Sequence, residues 1–494
     1  MTWDISDSMN LDSSSRNISR KVVKGGAWML ALRIIDRLFN FVRIIVLARL
    51  LAPEDFGIFA IALIAIMTLT TFSKTGFHGA LIQRKEDIKD YLDTAWTVTV
   101  IRGVFLAAIL FVAAPHISSF FDEPGAAPIL QVLALSLLFR GATNPGIAYF
   151  QRDLNFQRVF VYEMGGTIFD IVVAVTAAFV FRNVWALVYG LLARHLVQLI
   201  LSFLMAPQMI KPRFELDKFK ELFVFGKYVF LSSILNFLLI QGPQAFVGKI
   251  LGAATLGFYL LAFRISDLPT RETINVVSRT TFPAYSRLQD QVFKLREGYS
   301  KILQMVSFIL IPVAVGLFIL SREFTQLFLG EKWMAIVPAL RVLVVWGGLR
   351  AIHVTSYPLF QGIGKPGIET KIRFAQILLL GAIIYPFSRQ WNLPGTTMAV
   401  LLSELFACPF YIYQIVKITG LSLRELARMA LFPIVAALFM VGSIIFLKSL
   451  ALGYTDLLSF FIFIVAGALT YFGFTCIFSH FFSYGIFRTV ASIL

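Results

Sequence analysis

Residues 26–49 read GAWMLALRIIDRLFNFVRIIVLAR, an apolar run that charged side chains interrupt. The run is long enough to form a helix across a hydrocarbon core of about 30 Å. One face of such a helix carries Arg33, Asp36, Arg37, Asn40 and Arg43. Each ionised group at the bilayer centre costs about 2.5 to 3.5 kcal/mol, so we expect this face to meet water, protein or a charged ligand. The alternative is that Arg33 and Arg43 extend to opposite interfaces while Asp36 and Arg37 pair with neighbouring side chains.

The composition of the whole chain is that of a membrane protein. Of its 494 residues, 58% are hydrophobic and 15% are charged, and 50 are phenylalanines. A soluble domain is about half apolar and about one quarter charged. Apolar runs of about 20 residues recur along the chain, which predicts an all-α, polytopic membrane protein with about 14 transmembrane helices.

Basic residues are concentrated in alternate connections between the predicted spans. Residues 1–24 are polar and end in basic side chains, without the apolar core of a signal peptide. Connections rich in Lys and Arg then follow every second span, which predicts that these connections and both termini are cytoplasmic. Topology and contact with anionic lipid headgroups account for the formal charge of +16. The charge therefore gives no reason to expect nucleic acid as a partner.

The chain also repeats part of its own sequence. The same residue recurs 200 positions later for Gly26, Ile34, Leu38, Leu51, Gly57 and Ala62. Copies that are an even number of spans apart share one orientation, and a substrate path then lies between them. We predict a cytoplasmic tail, a first six-helix half, a linker, a second six-helix half and a two-helix C-terminal appendage, at residues 1–23, 24–206, 207–222, 223–427 and 428–494. The alternative is a coincidental alignment of apolar residues.

The predicted eighth span carries a second charged face. Arg264, Asp267, Arg271, Asn275 and Ser278 share it, whereas the matching positions of the first half are uncharged. Each half thus contributes one cationic face, and we expect the two faces to line a central cavity. Arginine suits an anionic substrate because its planar guanidinium stays charged and offers paired donors to phosphate oxygens. Alternatively, Arg271 lies at the cytoplasmic end of the span, which leaves Arg264 and Asp267 as its deep charges.

Two stretches of the chain resemble a known family. Residues 36–57, DRLFNFVRIIVLARLLAPEDFG, and residues 258–269, FYLLAFRISDLP, are similar to the Wzx-type polysaccharide transporters, which are lipid-linked oligosaccharide flippases of the MOP superfamily. Within that family the chain resembles rhizobial exopolysaccharide exporters. The resemblance implies a multi-pass protein of the bacterial inner membrane.

The related lipid II flippases carry cavity arginines that are thought to bind the lipid pyrophosphate. By resemblance these arginines match Arg37, Arg43 and Arg264. Two positions depart from that pattern. The second-helix basic residue of those flippases has no match in residues 61–67, and Ile44 stands where they have an acidic residue. The resemblance therefore implies more about the charge of the substrate than about the coupling mechanism.

We interpret the chain as a flippase, and not an enzyme, that moves polyprenyl-pyrophosphate-linked oligosaccharide repeat units to the periplasmic leaflet. The predicted substrate-binding residues are Arg33, Arg37, Arg43, Arg264 and Arg271. Asp36 and Asp267 are predicted to orient these arginines or to take part in ion coupling. The expected partners are the lipid-linked oligosaccharide, membrane lipids, and a polysaccharide polymerase with its export machinery. The sequence predicts no catalytic residue, no metal site and no cofactor.

Three further carboxylates lie in apolar spans: Glu163, Asp170 and Glu404. We expect them either to bind a coupling cation or to form buried pairs with Arg194 or Arg140.

Two other function classes remain open from the sequence. A drug or ion antiporter of the same superfamily would export cations, and carboxylates and aromatic side chains are expected in its cavity. A membrane glycosyltransferase or polymerase is the enzyme alternative, because Glu54 and Asp55 resemble the acidic pair of some polyprenyl-dependent glycosyltransferases. However, Pro53, Glu54 and Asp55 also suit the first turn of a helix.

Overall fold

The computed structural model describes residues 35–73, 89–152, 155–206, 210–213, 215–450 and 456–482. Within these ranges all regular structure is helical, which confirms the predicted all-α class. Ten helical segments in the described ranges are long and apolar enough to cross a membrane. The chain is therefore a multi-pass membrane protein, whereas the exact number of spans stays a prediction.

Two compact units make up the chain, Met1–Ile234 and Leu235–Leu494. The described helices of the first unit are α1 (residues 35–50), α2 (Pro53–Phe72), α3 (Lys89–Phe120), α4 (Ala126–Ala142), α5 (Ile147–Arg152), α6 (Phe156–Phe181) and α7 (Trp185–Met205). α6 packs along α7, α3 packs along α4, and α4 also contacts α7. The predicted tail, linker and half boundaries stay predictions.

The start of α2 explains the acidic pair Glu54 and Asp55. Pro53 occupies the first helical position, where its missing N–H needs no partner. The backbone N–H of Ala52 donates to Asp55 Oδ2 at 2.8 Å, and both carboxylates complement the positive end of the helix dipole. This confirms the helix-start interpretation of the three residues.

Two glycines allow α3 and α4 to cross in close contact. A Cβ atom on Gly103 would lie 2.9 Å from the Cα of Gly141, and one on Gly141 would lie 2.8 Å from the Cα of Gly103. Membrane helices commonly associate through such small residues, because dispersion between closely packed backbones replaces the hydrophobic effect.

The second unit begins within α8 (Leu216–Arg287). It continues through α9 (Val292–Ile319), α10 (Ser321–Phe324), a π-helical turn (Thr325–Leu329), a 3-10 turn (Glu331–Ile336), α11 (Val337–Gly362), α12 (Gly367–Thr419), α13 (Leu423–Leu450) and α14 (Leu457–Phe482). Two helices contain a break: Gly252 in α8 has a φ of 83°, and Asn392 in α12 has a φ of 52°. At each of these left-handed positions the long helical run has a kink that separates two helices.

The C-terminal helices α13 and α14 pack against each other, and α13 packs along α9. Arg296 on α9 donates to both carboxylate oxygens of Glu425 at 2.6 and 2.8 Å. Near the other end of α9, Lys448 Nζ lies 2.7 Å from a carboxylate oxygen of Glu323. Between these two levels the hydroxyl of Tyr471 on α14 donates to the backbone carbonyl of Phe308 at 2.9 Å. The appendage thus contacts α9, or the residues that directly follow it, at three levels along the helix.

Candidate functional site

The charged face of α1 packs against α6. Arg43 Nη2 donates to Asp170 Oδ1 at 2.8 Å, and these two residues are only 8% and 4% exposed. One turn earlier on α6, the Thr167 hydroxyl donates to Asp36 Oδ1 at 2.9 Å. Arg37 Nη1 lies 4.0 Å from Asp36 Oδ2. We call these five residues the α1 cluster.

Helix α7 closes over the α1 cluster at Gly190. A Cβ atom at this position would lie 2.5 Å from Asp170 Oδ1 and 2.6 Å from the Cβ of Ala174. Only glycine therefore leaves room for the carboxylate that holds Arg43. The ion pair between α1 and α6 therefore requires a glycine at position 190 of α7.

The α1 cluster settles part of the choice between the sequence interpretations. Asp36 and Arg37 do pair with neighbours, as the alternative proposed. Arg43 is held by a buried carboxylate and does not extend to an interface. Asp170 was expected to bind a cation or to pair with Arg194 or Arg140. The expected pairing is wrong, because Asp170 pairs with Arg43. Arg33 lies outside the described residues.

In the second unit two arginines contact Asp267. Its Oδ1 accepts a hydrogen bond from Arg350 Nη1 at 2.6 Å, and its Oδ2 lies 3.7 Å from Arg271 Nε. Asp267 is 7% exposed, whereas the side chain of Arg271 is 56% exposed. Arg264 is partly buried one turn earlier on the same helix. We call Arg264, Asp267, Arg271 and Arg350 the Asp267 cluster.

Arg350 is a member of this cluster that the sequence interpretation missed. It lies on α11, and its guanidinium stacks 5.0 Å above the ring of Trp346. The signal was available, because Arg350 interrupts an apolar run in the same way as the arginines of α1. The side chain of Asn275, which shares the predicted charged face with Asp267, is outside the described residues.

A second set of polar contacts lies on α11 and α12. Glu404 is 6% exposed, and its Oε2 accepts from Trp346 Nε1 at 3.2 Å and from Gln376 Nε2 at 2.8 Å. Arg373 pairs with Glu369 at 2.6 Å and donates to Asn236 Oδ1 at 2.8 Å. Neutral donors thus contact Glu404 here, and its expected roles as a cation ligand or as the partner of an arginine stay predictions.

The third carboxylate, Glu163, does meet an expected partner. Arg194 Nη2 lies 3.8 Å from Glu163 Oε2, and Gln198 Nε2 donates to the same oxygen at 3.2 Å. This confirms Arg194 as the partner of Glu163, but the Glu163 side chain is 50% exposed, so the pair is not buried as expected.

The chemistry of these clusters is ionic. Within the ranges that the structure describes, no group of three or more His, Cys, Asp or Glu side chains is placed to hold a metal ion. In the Asp267 cluster the guanidiniums of Arg350 and Arg271 approach one carboxylate, which leaves positive charge that an anion can compensate. In the α1 cluster two arginines face two carboxylates, so the charges of its described residues balance.

Comparisons with known proteins point to one family. A family model described as "Polysaccharide biosynthesis protein" matches residues 46–338. The chain is 26% identical over 413 residues to the lipopolysaccharide biosynthesis protein WzxC of Escherichia coli (strain K12), covering 83% of this chain and 84% of that protein. It is also 26% identical over 332 residues to the succinoglycan biosynthesis transport protein ExoT of Rhizobium meliloti (strain 1021), covering 67% of each chain.

Solved structures share the fold. The inward closed conformation of the lipid II flippase MurJ superposes with a TM-score of 0.74 at 14% identity, covering 91% of this chain and 98% of that chain. An inward-facing multidrug resistance MATE family transporter of the MOP superfamily superposes with a TM-score of 0.64 at 17% identity, covering 78% of this chain and 95% of that chain.

Proposed function

Because the chain belongs to the polysaccharide biosynthesis protein family, we propose that it is a flippase for polyprenyl-pyrophosphate-linked oligosaccharide repeat units. The observation that carries this proposal is the family match, which includes α2 to α7 and most of the Asp267 cluster. Relatives named for lipopolysaccharide and succinoglycan biosynthesis support it, and so does a fold shared with a lipid II flippase. We place the protein in the bacterial inner membrane, supplying exopolysaccharide or surface polysaccharide synthesis.

We further propose that the pyrophosphate of the substrate binds the predicted arginines Arg33, Arg37, Arg43, Arg264 and Arg271. The exposed guanidinium of Arg271 is the best placed of these to receive an anion, because Arg350 already satisfies the buried carboxylate beside it. Each charge-assisted hydrogen bond to a phosphate oxygen contributes about 1.5 to 3 kcal/mol. Asp36 and Asp267 hold the arginines in place or exchange a coupling ion.

We also propose that the chain crosses the membrane fourteen times with both termini in the cytoplasm. The helices α8 and α12 are 72 and 53 residues long, and each contains a break at a left-handed residue. A span needs about 20 residues, so each run is long enough for two spans that meet at its break. The polymerase and the export machinery that use the flipped product are the expected partners.

A deletion strain tests the function directly. Lipid-linked repeat units are extracted, and their leaflet is assigned by accessibility to an impermeant reagent that modifies sugars. We expect complete repeat units stranded on the cytoplasmic side and rescue by the wild-type gene. Incomplete repeat units would indicate a glycosyltransferase, and unpolymerised units on the periplasmic side would indicate a polymerase. No change in lipid-linked sugars would refute the proposal.

Site variants test the arginines in the same strain. We expect Arg37→Ala and Arg264→Ala to abolish polymer export while the protein remains in the membrane at wild-type levels. Normal export from both variants would refute the assignment of the substrate site.

One observation favours a second candidate function, since the fold is also that of a multidrug resistance transporter. A strain that loses drug resistance but keeps its lipid-linked sugars unchanged would support an antiporter instead.

A further inference from the structure

The connection between α7 and α8 lies along the start of α3. Three backbone N–H groups of the connection donate to three side chains of α3, and the pairs are Lys211 with Asp93 Oδ1 (2.9 Å), Arg213 with the Thr97 hydroxyl (3.0 Å) and Glu215 with the Thr94 hydroxyl (3.3 Å). The donors are alternate residues, as in an extended segment whose successive N–H groups point to opposite sides. Pro212, which has no N–H, stands between the first two donors and costs no bond. We call Lys211, Arg213 and Glu215 the linker strap.

The part of α3 that accepts these bonds is fixed within the first unit. Thr94 is fully buried. The indole Nε1 of Trp96 donates to the backbone carbonyl of Ala142 at the end of α4, at 2.9 Å. The Trp96 ring also meets the ring of Phe203 on α7 edge to face, with their centroids 6.4 Å apart. The linker strap is therefore attached to a part of α3 that contacts two further helices of the unit.

The specificity of the attachment lies in α3. The donors are backbone N–H groups, which every residue except proline supplies. The acceptors are one carboxylate, on Asp93, and two hydroxyls, on Thr94 and Thr97. A hydrogen bond to an ionised acceptor is roughly twice as strong as a neutral one, so Asp93 is expected to contribute most. Substitutions in α3 can therefore remove the bonds without changing the sequence of the linker.

Helix α8 connects the linker strap to the second unit. It begins at Leu216, directly after the strap, and the boundary between the two compact units falls inside it, between positions 234 and 235. Just beyond that boundary, Asn236 Oδ1 accepts a hydrogen bond from Arg373 Nη1 of α12 at 2.8 Å. The start of α8 is thus attached to the first unit, and Asn236 is attached to the second.

The helix between these two attachments is continuous. The non-helical residue that the structure describes within α8 is Gly252, which follows both attachments. At 1.5 Å per residue, the stretch from Leu216 to Asn236 is about 30 Å long, close to the thickness of a hydrocarbon core. A single helical stretch of this length therefore joins the two units.

We propose that the linker strap stays bound to α3 while the two units move relative to each other, so that the movement tilts or bends α8 between Leu216 and Asn236. Movement within the linker would break three hydrogen bonds together, whereas a long helix curves gently at little cost for each residue. This proposal goes beyond the proposed function, because it does not depend on the cargo that the protein moves.

Amide hydrogen exchange of the purified full-length protein in nanodiscs, read at single residues, tests the attachment. We expect exchange to become about 5-fold faster at Lys211 in Asp93→Ala and at Arg213 in Thr97→Val, the effect of losing one hydrogen bond. Asp93→Asn keeps an acceptor oxygen and should keep the protection. Thr99→Val is the matched control, because the Thr99 hydroxyl donates to a carbonyl within α3. Unchanged exchange in both strap variants would overturn the attachment.

A covalent cross-link tests whether the linker strap stays bound during transport. Thr97→Cys and Arg213→Cys, in a Cys408→Ala, Cys476→Ala background, are joined by a short bifunctional maleimide in proteoliposomes. The leaflet of lipid-linked repeat units is then followed with an impermeant sugar-modifying reagent. We expect the cross-linked protein to flip at least as fast as the untreated protein, because the cross-link replaces the hydrogen bond between the same two residues. Loss of flipping on cross-linking would show that the strap must be released and would overturn the proposal.

Two controls accompany the cross-link. The single variant Arg213→Cys, treated with the same reagent, measures the effect of modification alone. The double variant Asp93→Ala, Thr97→Val loosens the strap and should flip several-fold more slowly than wild type, whereas Thr99→Val should flip normally. Wild-type flipping by the loosened double variant would contradict a mechanical role for the strap.

The two assays separate this proposal from the flippase function. If the untreated wild-type protein moves no lipid-linked repeat units, the flippase function is refuted, and amide exchange alone then decides the attachment of the linker strap. Flipping by the wild-type protein that stops on cross-linking leaves the flippase function intact and overturns the proposal made here.

Discussion

Replacing Asp170 by asparagine should destabilise the first unit by about 3 to 5 kcal/mol, because it leaves the guanidinium of Arg43 buried without a counter-charge. The carboxylate and guanidinium are 2.8 Å apart, and the two residues are 4% and 8% exposed, so water replaces little of the lost interaction. Asparagine has nearly the same volume as aspartate, so the packing beneath Gly190 stays intact. The change therefore isolates the charge.

The assay is the melting temperature of the purified protein in detergent, read from the fraction that stays monodisperse after heating. For a unit of this size, about 2 to 4 °C of melting temperature corresponds to each kcal/mol, so we expect a decrease of roughly 10 °C. The double variant Arg43→Gln, Asp170→Asn replaces the ion pair by two neutral amides and should recover most of the decrease. An unchanged melting temperature in Asp170→Asn would refute the reasoning.

The same double variant separates stability from substrate binding. If Arg43 also binds pyrophosphate, as we propose, the double variant is stable but does not support polymer export. Recovery of both stability and export would show that Arg43 is a structural residue whose charge serves only Asp170.

Arg350→Ala should lower both the melting temperature and export, because it leaves Asp267 buried beside a single, more distant cation. Arg271→Ala should impair export but change the free energy of unfolding by no more than about 1 kcal/mol, as expected for an exposed pair. Equal destabilisation by the two changes would contradict this division. Gly190→Ala should destabilise the first unit by about 1 to 3 kcal/mol, because its Cβ would lie 2.5 Å from Asp170 Oδ1. Gly125→Ala, whose Cβ would meet nothing within 4 Å, is the control, and a heat-stability series that ranks the two glycine variants equally would contradict the packing argument.

The sequence predicted the helical class and the family because both depend on local patterns. Apolar runs define spans one at a time, and the stretches 36–57 and 258–269 carry the resemblance that the family match and the relatives confirm. The cost of a charge in a bilayer also marked the arginines of α1 correctly as residues that need partners.

The identity of those partners could not be predicted in the same way. Arg43 and Asp170 are 127 positions apart, and Asp267 and Arg350 are 83 positions apart. Such pairs depend on which faces of two distant helices meet, and the hydrophobicity pattern of each helix leaves several faces possible. The pairing of Glu163 with Arg194 was accessible because α6 and α7 are neighbours in the chain and pack along each other. The roles of the arginines in substrate binding stay predictions.

Because α13 and α14 are bonded to α9, a spectroscopic probe on these C-terminal helices can report the movement of α9. The chain contains only two cysteines, and Cys476, which lies on α14, is exposed. A spin label attached there, in a Cys408→Ala background, would follow the displacement of α9 because Tyr471 and Lys448 tie the appendage to that helix. The C-terminal helices would thus report movements of α9 through a probe on an exposed position of α14.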